Sequence, residues 1–150
     1  RLRRAAHIQG DGLQDLIVSG GVPPGGEPAD EERRQIHLNV RNQCLLAGSF
    51  AQDGFTPVLD YVVVSRERLE EYREQLAGLG VHLVTLNPGA ATALERDARR
   101  PEKTVAGFWT HLEDVIRREL SGAGLWIDNS DMSVEETVEE ILSRREEARV

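Results

Sequence analysis

Short apolar runs alternate with helix-periodic segments along the 150-residue chain, and this alternation restricts its fold more than any other feature. Arg4 to Gln9 (RAAHIQ) reads as a strand that enters the turn Gly10-Asp11-Gly12. A short helix follows, with Leu13, Leu16 and Ile17 on one side. Residues 19–30 (SGGVPPGGEPAD) are dense in Gly and Pro and predict an exposed, mobile loop. Ile36, Val40, Cys44, Ala47 and Ala51 recur at helical spacing, widened by Leu46 and Phe50, and predict a long helix over 31–52. Pro57 to Val64 (PVLDYVVV) is nearly continuous and suits a strand covered on both faces.

The alternation continues to the end. Residues 66–79 predict a helix with Leu69, Tyr72, Leu76 and Leu79 inward, stopped by Gly80. Val81 to Leu86 predicts a second buried strand, and Asn87-Pro88-Gly89 a turn. A charged helix over 90–100 ends at Pro101, and a longer one covers 103–120. Gly124 to Asp128 predicts the last strand. Ser133 and Glu136 stand at capping-box spacing before a final helix with Val134, Val138, Ile141 and Leu142 inward. Strands alternating with helices predict an α/β fold: one domain, a parallel sheet with helices on both faces.

Bulk properties set limits on function. The net charge is −8, which disfavours sequence-independent nucleic-acid binding, since that relies on Lys and Arg meeting phosphates. Cys44 is the only cysteine, so no disulfide framework or cysteine-rich zinc site is expected, and the compartment is expected to be the cytoplasm. No apolar run is long enough to span a bilayer. The sequence opens without Met and runs almost at once into a strand, so its true start is expected upstream.

In a parallel α/β sheet, ligands sit beyond the carboxyl ends of the strands. Asp11 leaves the first strand between two glycines, where a carboxylate can accept or orient a substrate hydroxyl proton. Alternatively it caps the short helix. Asp60 falls inside the apolar run, where a charge is costly unless it is paired or serves a metal. Alternatively the strand ends early and Asp60 is exposed. Arg96 with Arg99 or Arg100 share a helix face and suit phosphate, or else pair with Glu95, Asp97 and Glu102. Gln35, Asn39 and Asn42, with Arg41 and His37 nearby, form a polar row that can face a substrate or simply solvent. Asp128, Asn129 and Ser130 leave the last strand. His7 and His82 read as core histidines inside strands, and Cys44 as a small hydrophobe. The glycine pairs at 20–21 and 25–26 are not a phosphate loop, because no Lys-Ser or Lys-Thr follows.

Taken in order, HIQGD, FTPVLDYVVVSRERLEEYREQL, VHLVTLNPGAATALERDARR and GLWIDNSDMSVEETVEEIL resemble the P-loop small-molecule kinases, a group that includes chloramphenicol phosphotransferase, shikimate kinase and gluconate kinase. The resemblance runs from about Ala5 to Ala148. It implies a three-layer sandwich and an ATP- and Mg²⁺-dependent transfer of phosphate to a hydroxyl of a small molecule. It implies that Asp11 handles the acceptor hydroxyl and Asp60 lies near Mg²⁺. Arg96, Arg99 and Arg100 match lid arginines, and Asp128, Asn129 and Ser130 match the loop beside the adenine. Gln35, Asn39, Arg41 and Asn42 are expected to shape the acceptor pocket.

One departure stands out. The group's first strand and its G-x-x-x-x-G-K-[ST] loop are absent from these 150 residues. That strand lies between those matching 57–64 and 81–86, so its absence leaves two apolar strand edges open. An upstream segment is expected to supply it. A strand from a second copy, giving a homo-oligomer, or a rearranged fold are the other expectations. The alternative functions are a nucleotide-binding or regulatory relative without catalysis, and a nucleoside or nucleotide kinase.

Overall fold

The computed structural model describes residues 2–99 and 112–150. The chain is mixed α/β and divides into two compact units: Arg1–Val62 with Leu69–Gly78, and Val63–Arg68 with Leu79–Val150. Each holds a parallel sheet of two strands.

In the first unit, β1 (Ala5–Gln9) is followed directly by α1 (Gly10–Gln14), then α2 (Ala29–Gln52) and β2 (Thr56–Asp60). The strands are in register from Ala5 opposite Thr56 to Gln9 opposite Asp60. Their side chains alternate, as a pleated pair covered on one face requires. Ile8 is 4% exposed, while Val58 on the other face is 44% exposed. The expected strand over 57–64 is therefore shorter and is not covered on both faces. α2 packs on both strands. Val40, Cys44 and Ala47 fill its inner face, with Leu69, Tyr72 and Leu76 also in the core. Leu46 and Phe50 do not widen that stripe; both are exposed, and Phe50 meets Phe55 edge-on at 5.9 Å. Acidic side chains at Asp30, Glu31 and Glu32 complement the positive end of the α2 dipole. α3 (Arg66–Gln75) ends before Leu79, which is exposed rather than core.

In the second unit, β3 (Val84–Leu86) pairs with β4 (Leu125–Ile127), with α4 (Ala90–Ala98), α5 (Leu112–Leu120) and α6 (Val134–Ser143) alongside in the chain. The expected strand 81–86 is split. Only its second half joins the parallel pair. Its first half bonds the chain's end: Leu83 N donates to Ala148 O at 2.7 Å and Val150 N to Val81 O at 3.1 Å. His82 bridges to Arg149 and is exposed, and His7 is exposed too, so neither is a core histidine. Leu125, Ile127 and Ala148 form the core, with Val84, Met132 and Ile141 against it.

The capping box forms as the spacing predicts. Ser133 Oγ accepts from Glu136 N, and Glu136 accepts from Ser133 N at 2.8 Å. The Ser133 N–H, and then the Ser133 hydroxyl, which donates to Glu136 Oε2 at 2.8 Å, hold the Glu136 carboxyl below its ordinary value. Ile141 packs against the core of this unit as expected, and Leu142 is half-buried, but the first half of α6 turns a different residue inward. Thr137 is buried, whereas Val134 and Val138 are 76% and 43% exposed. Position 137 wins because its hydroxyl donates to Ser133 O at 2.8 Å and can be buried without loss.

Gly124 fixes the entry to β4. Its φ is +64°, and a Cβ there would sit 2.4 Å from the Leu83 carbonyl oxygen. That carbonyl accepts the Leu125 N–H at 2.9 Å, so it has little room to move. Gly124→Ala is expected to destabilise the protein by about 1–3 kcal/mol. Chemical denaturation checks this: the midpoint falls with an unchanged slope, and an unmoved midpoint contradicts the account.

Candidate functional site

The first candidate region is built on α2. Gln35, Asn39 and Gln43 lie at i, i+4 and i+8, and all three are buried, at 5%, 3% and 0% exposure. Buried amides need partners, and each has them. Gln35 Nε2 donates to Gly20 O at 2.8 Å, and its Oε1 accepts the Val22 N–H at 2.8 Å. Asn39 Nδ2 donates to Gly10 O at 2.8 Å. Gln43 Nε2 donates to Asn39 Oδ1 at 2.8 Å, and its Oε1 accepts from the Tyr72 hydroxyl at 3.0 Å. One face of α2 thus holds the loop after α1, the start of α1, and α3.

This alters the roles expected of the polar row. Gln35 and Asn39 are buried anchors, not a solvent face. Asn42 lies half-buried outside the row, and Gln43 takes the place it was expected to hold. Sequence reading missed Gln43, and read Tyr72 as core without its bond to Gln43. The signal was present in the strict i, i+4, i+8 run of amides, but the apolar stripe beside it drew the register elsewhere. Gly10 is dictated by the same packing: a Cβ there would lie 2.2 Å from the Tyr61 ring and 2.8 Å from Gln43 Nε2.

Asp11 stands in the first turn of α1, exposed, and supplies no side-chain cap. The register sets Asp60 beside Gln9, so both acids leave the carboxyl edge of the β1–β2 pair. Asp60 is not inside a buried strand. It is the last residue of β2, its side chain is 68% exposed, and its Oδ2 meets His7 Nε2 at 3.3 Å. The strand ends there because Tyr61 and the valines after it leave the pairing. One carboxylate with a free oxygen suits an outer contact to Mg²⁺, which keeps several waters. Among the described residues, no group of three or more metal-ligating side chains forms.

A cleft of about 760 Å³ opens between the loop after α1, α2 and α3, and neither Asp11 nor Asp60 lines it. Gln35 and Arg41 from the expected acceptor set line it, with Arg34, His37 and Glu71. Arg34 pairs with Glu31 at 2.8 Å, and His37 Nδ1 meets Glu71 at 2.9 Å. The Arg34 and Gln35 bonds hold the Glu31 carboxyl below its ordinary value. Cys44 is no nucleophile: burial, and then the Glu71 charge, push its thiol up to about 11.

The second region lies in the other unit. Arg96 on α4 donates from one guanidinium nitrogen to Asn129 O at 2.6 Å and Ser130 O at 3.0 Å. The expected nucleotide loop and one expected lid arginine are thereby joined. Asp128 Oδ1 accepts from Ser130 N at 3.0 Å and Ser130 Oγ at 2.7 Å. Those two bonds, the hydroxyl first, hold the Asp128 carboxyl below its ordinary value. The turn is therefore fully formed above the usual carboxylate range and loosens as pH falls through the lowered value. Asn129 is 8% exposed and its Oδ1 has no partner among the described residues. Arg99 is exposed and pairs with Glu95 on its own helix. Arg100 lies outside the described residues.

No protein-family model matches the chain. No curated protein matches it either. Among the described residues, no helix is long and apolar enough to cross a membrane.

The amide row yields a stability test. Gln43→Met keeps the length and leaves Asn39 and the Tyr72 hydroxyl without this partner. It is expected to cost about 1–3 kcal/mol. Adding Tyr72→Phe removes the hydroxyl whose acceptor has gone, so the double variant should lose less than the sum of the singles. Additive losses in denaturant would contradict the network.

Proposed function

We propose that the chain forms most of an ATP-dependent phosphotransferase of the P-loop type, acting on a hydroxyl of a small molecule. The observation that carries this reading is the Arg96 bridge. It ties α4 to the loop Asp128–Ser130 across 33 and 34 residues of sequence. These are the two segments that the resemblance assigns to the nucleotide.

The strand pairing adds support. The resemblance places a further strand between those matching β2 and β3. β1 pairs with β2 and β3 with β4, each pair parallel as the resemblance expects. The acceptor's hydroxyl is met by Asp11 at the carboxyl edge of the β1–β2 pair.

ATP with Mg²⁺ supplies the phosphoryl group and neutralises its charge. The chain's own residues do the rest. Asp11 accepts the acceptor's hydroxyl proton on its carboxylate. Asp60, exposed at the end of β2, is the carboxylate that would serve Mg²⁺ through a water. Gln35 and Asn39 fix the loop and helix that border the acceptor. Arg96 fixes the loop that borders the base. Arg99, exposed and held only by Glu95, is the described arginine able to swing toward phosphate.

A second reading has one observation in its favour. These residues hold no phosphate loop, and Arg96 is engaged by two carbonyls. That fits a nucleotide-binding relative without turnover.

The test is phosphoryl transfer by the full-length protein with Mg²⁺-ATP and a panel of hydroxylated acceptors. Asp11→Asn is expected to leave ATP affinity unchanged and to slow transfer by about 100-fold or more. A variant that transfers at the parent rate removes Asp11 from the mechanism. Absence of turnover with every acceptor, with ATP still bound, favours the second reading.

A further inference from the structure

We infer that Tyr72, Gln43 and Asn39 are positioning residues, forming a one-way relay of hydrogen bonds that sets where Asp11 stands. The inference rests on the role proposed for Asp11 above. It adds buried residues that touch no acceptor and act through the backbone.

The relay ends on the residue before Asp11. The Tyr72 hydroxyl donates to Gln43 Oε1 at 3.0 Å, Gln43 Nε2 to Asn39 Oδ1 at 2.8 Å, and Asn39 Nδ2 to Gly10 O at 2.8 Å. Its direction follows from the chemistry of its last member. A main-chain carbonyl can only accept, so Asn39 turns its NH₂ toward Gly10. Asn39 then offers oxygen to Gln43, Gln43 offers oxygen to Tyr72, and the hydroxyl has to donate. Reversing either amide sets two acceptors or two donors face to face. Asn39, Gln43 and Tyr72 are 3%, 0% and 6% exposed, so water does not replace a lost partner.

Asp11 depends on this support because its own side chain gives it little. That side chain is exposed and supplies no cap to α1. Its main chain is fixed instead. Asp11 O accepts from Asp15 N at 3.0 Å. Gly10 is held by Asn39 and packed so closely that a Cβ there would lie 2.2 Å from the Tyr61 ring. The carboxylate therefore stands where the Gly10 backbone puts it. A base has to meet its hydroxyl within hydrogen-bond reach, so a small displacement at Gly10 slows transfer.

The test uses the full-length protein. The Gly10, Asp11 and Gly12 amides are followed by NMR, and transfer from Mg²⁺-ATP is measured beside them. Tyr72→Phe keeps the ring and removes only the hydroxyl, whereas Gln43→Met removes both of the relay bonds that Gln43 makes. Both are expected to move the three amide signals and the Asn39 side-chain NH₂ signal, Gln43→Met the more. Each should lower kcat, by about threefold in Tyr72→Phe and about tenfold in Gln43→Met, with the KM for ATP unchanged. Cys44→Ala trims a neighbouring buried side chain of α2 that takes no part in the relay. It should lower stability and leave the signals and kcat in place. Unmoved Gly10, Asp11 and Gly12 signals in both relay variants overturn the inference. So does an equal shift in Cys44→Ala, or parent kcat in Gln43→Met. A parent protein that transfers to no acceptor defeats the phosphotransferase reading instead, and the shifts alone then decide whether the relay places Asp11.

Discussion

Three amides on one helix organise the first unit. Gln35, Asn39 and Gln43 are buried, and a buried amide without partners would cost more than a formed hydrogen bond returns. Each is therefore committed to a different neighbour: the loop after α1, the first residue of α1, and Tyr72 on α3. Apolar packing alone would let these segments slide on α2. Directional bonds fix their position and the rotation of the helix. The acidic edge with Asp11 and Asp60, and the cleft with Arg41, both inherit their geometry from that row.

The second unit solves a comparable problem with one guanidinium and a glycine. Arg96 supplies donors to two carbonyls that a tight turn would leave for water. Asp128 and Ser130 close the same turn from within. Gly124 lets the chain enter β4 while passing close to the Leu83 carbonyl. The chain's end is drawn in as well, since Ala148 and Val150 pair with residues 81–83.

Much of this was legible in the sequence, and what was not has physical causes. The alternation of strand and helix, the capping box at Ser133 and the long α2 follow from periodicity and local chemistry. The extent of β2 does not. An apolar run such as PVLDYVVV marks what can be buried, but where pairing stops depends on the neighbours present. The same limit applies to Val134 and Val138, apolar residues that face outward while Thr137 is buried. The polar row on α2 was visible, and Gln43 extends it at the same spacing. Which face of the helix is inward depended on Tyr72 and Gly10, residues distant in sequence. The Arg96 bridge spans more than 30 residues and leaves no local trace.

Each unit thus holds one preformed candidate region. One presents acids and a cleft lined by Gln35, Arg34 and Arg41. The other presents a turn held rigid by an arginine. The account's central claim is that this turn faces a nucleotide. It is tested most directly by titrating the full-length protein with Mg²⁺ and a non-hydrolysable ATP analogue while following backbone amides by NMR. The account predicts saturable shifts centred on Asp128, Asn129 and Ser130, with the Arg96 side-chain signal moving in step. Saturable binding that leaves those signals unmoved, or no binding at millimolar analogue, would contradict it.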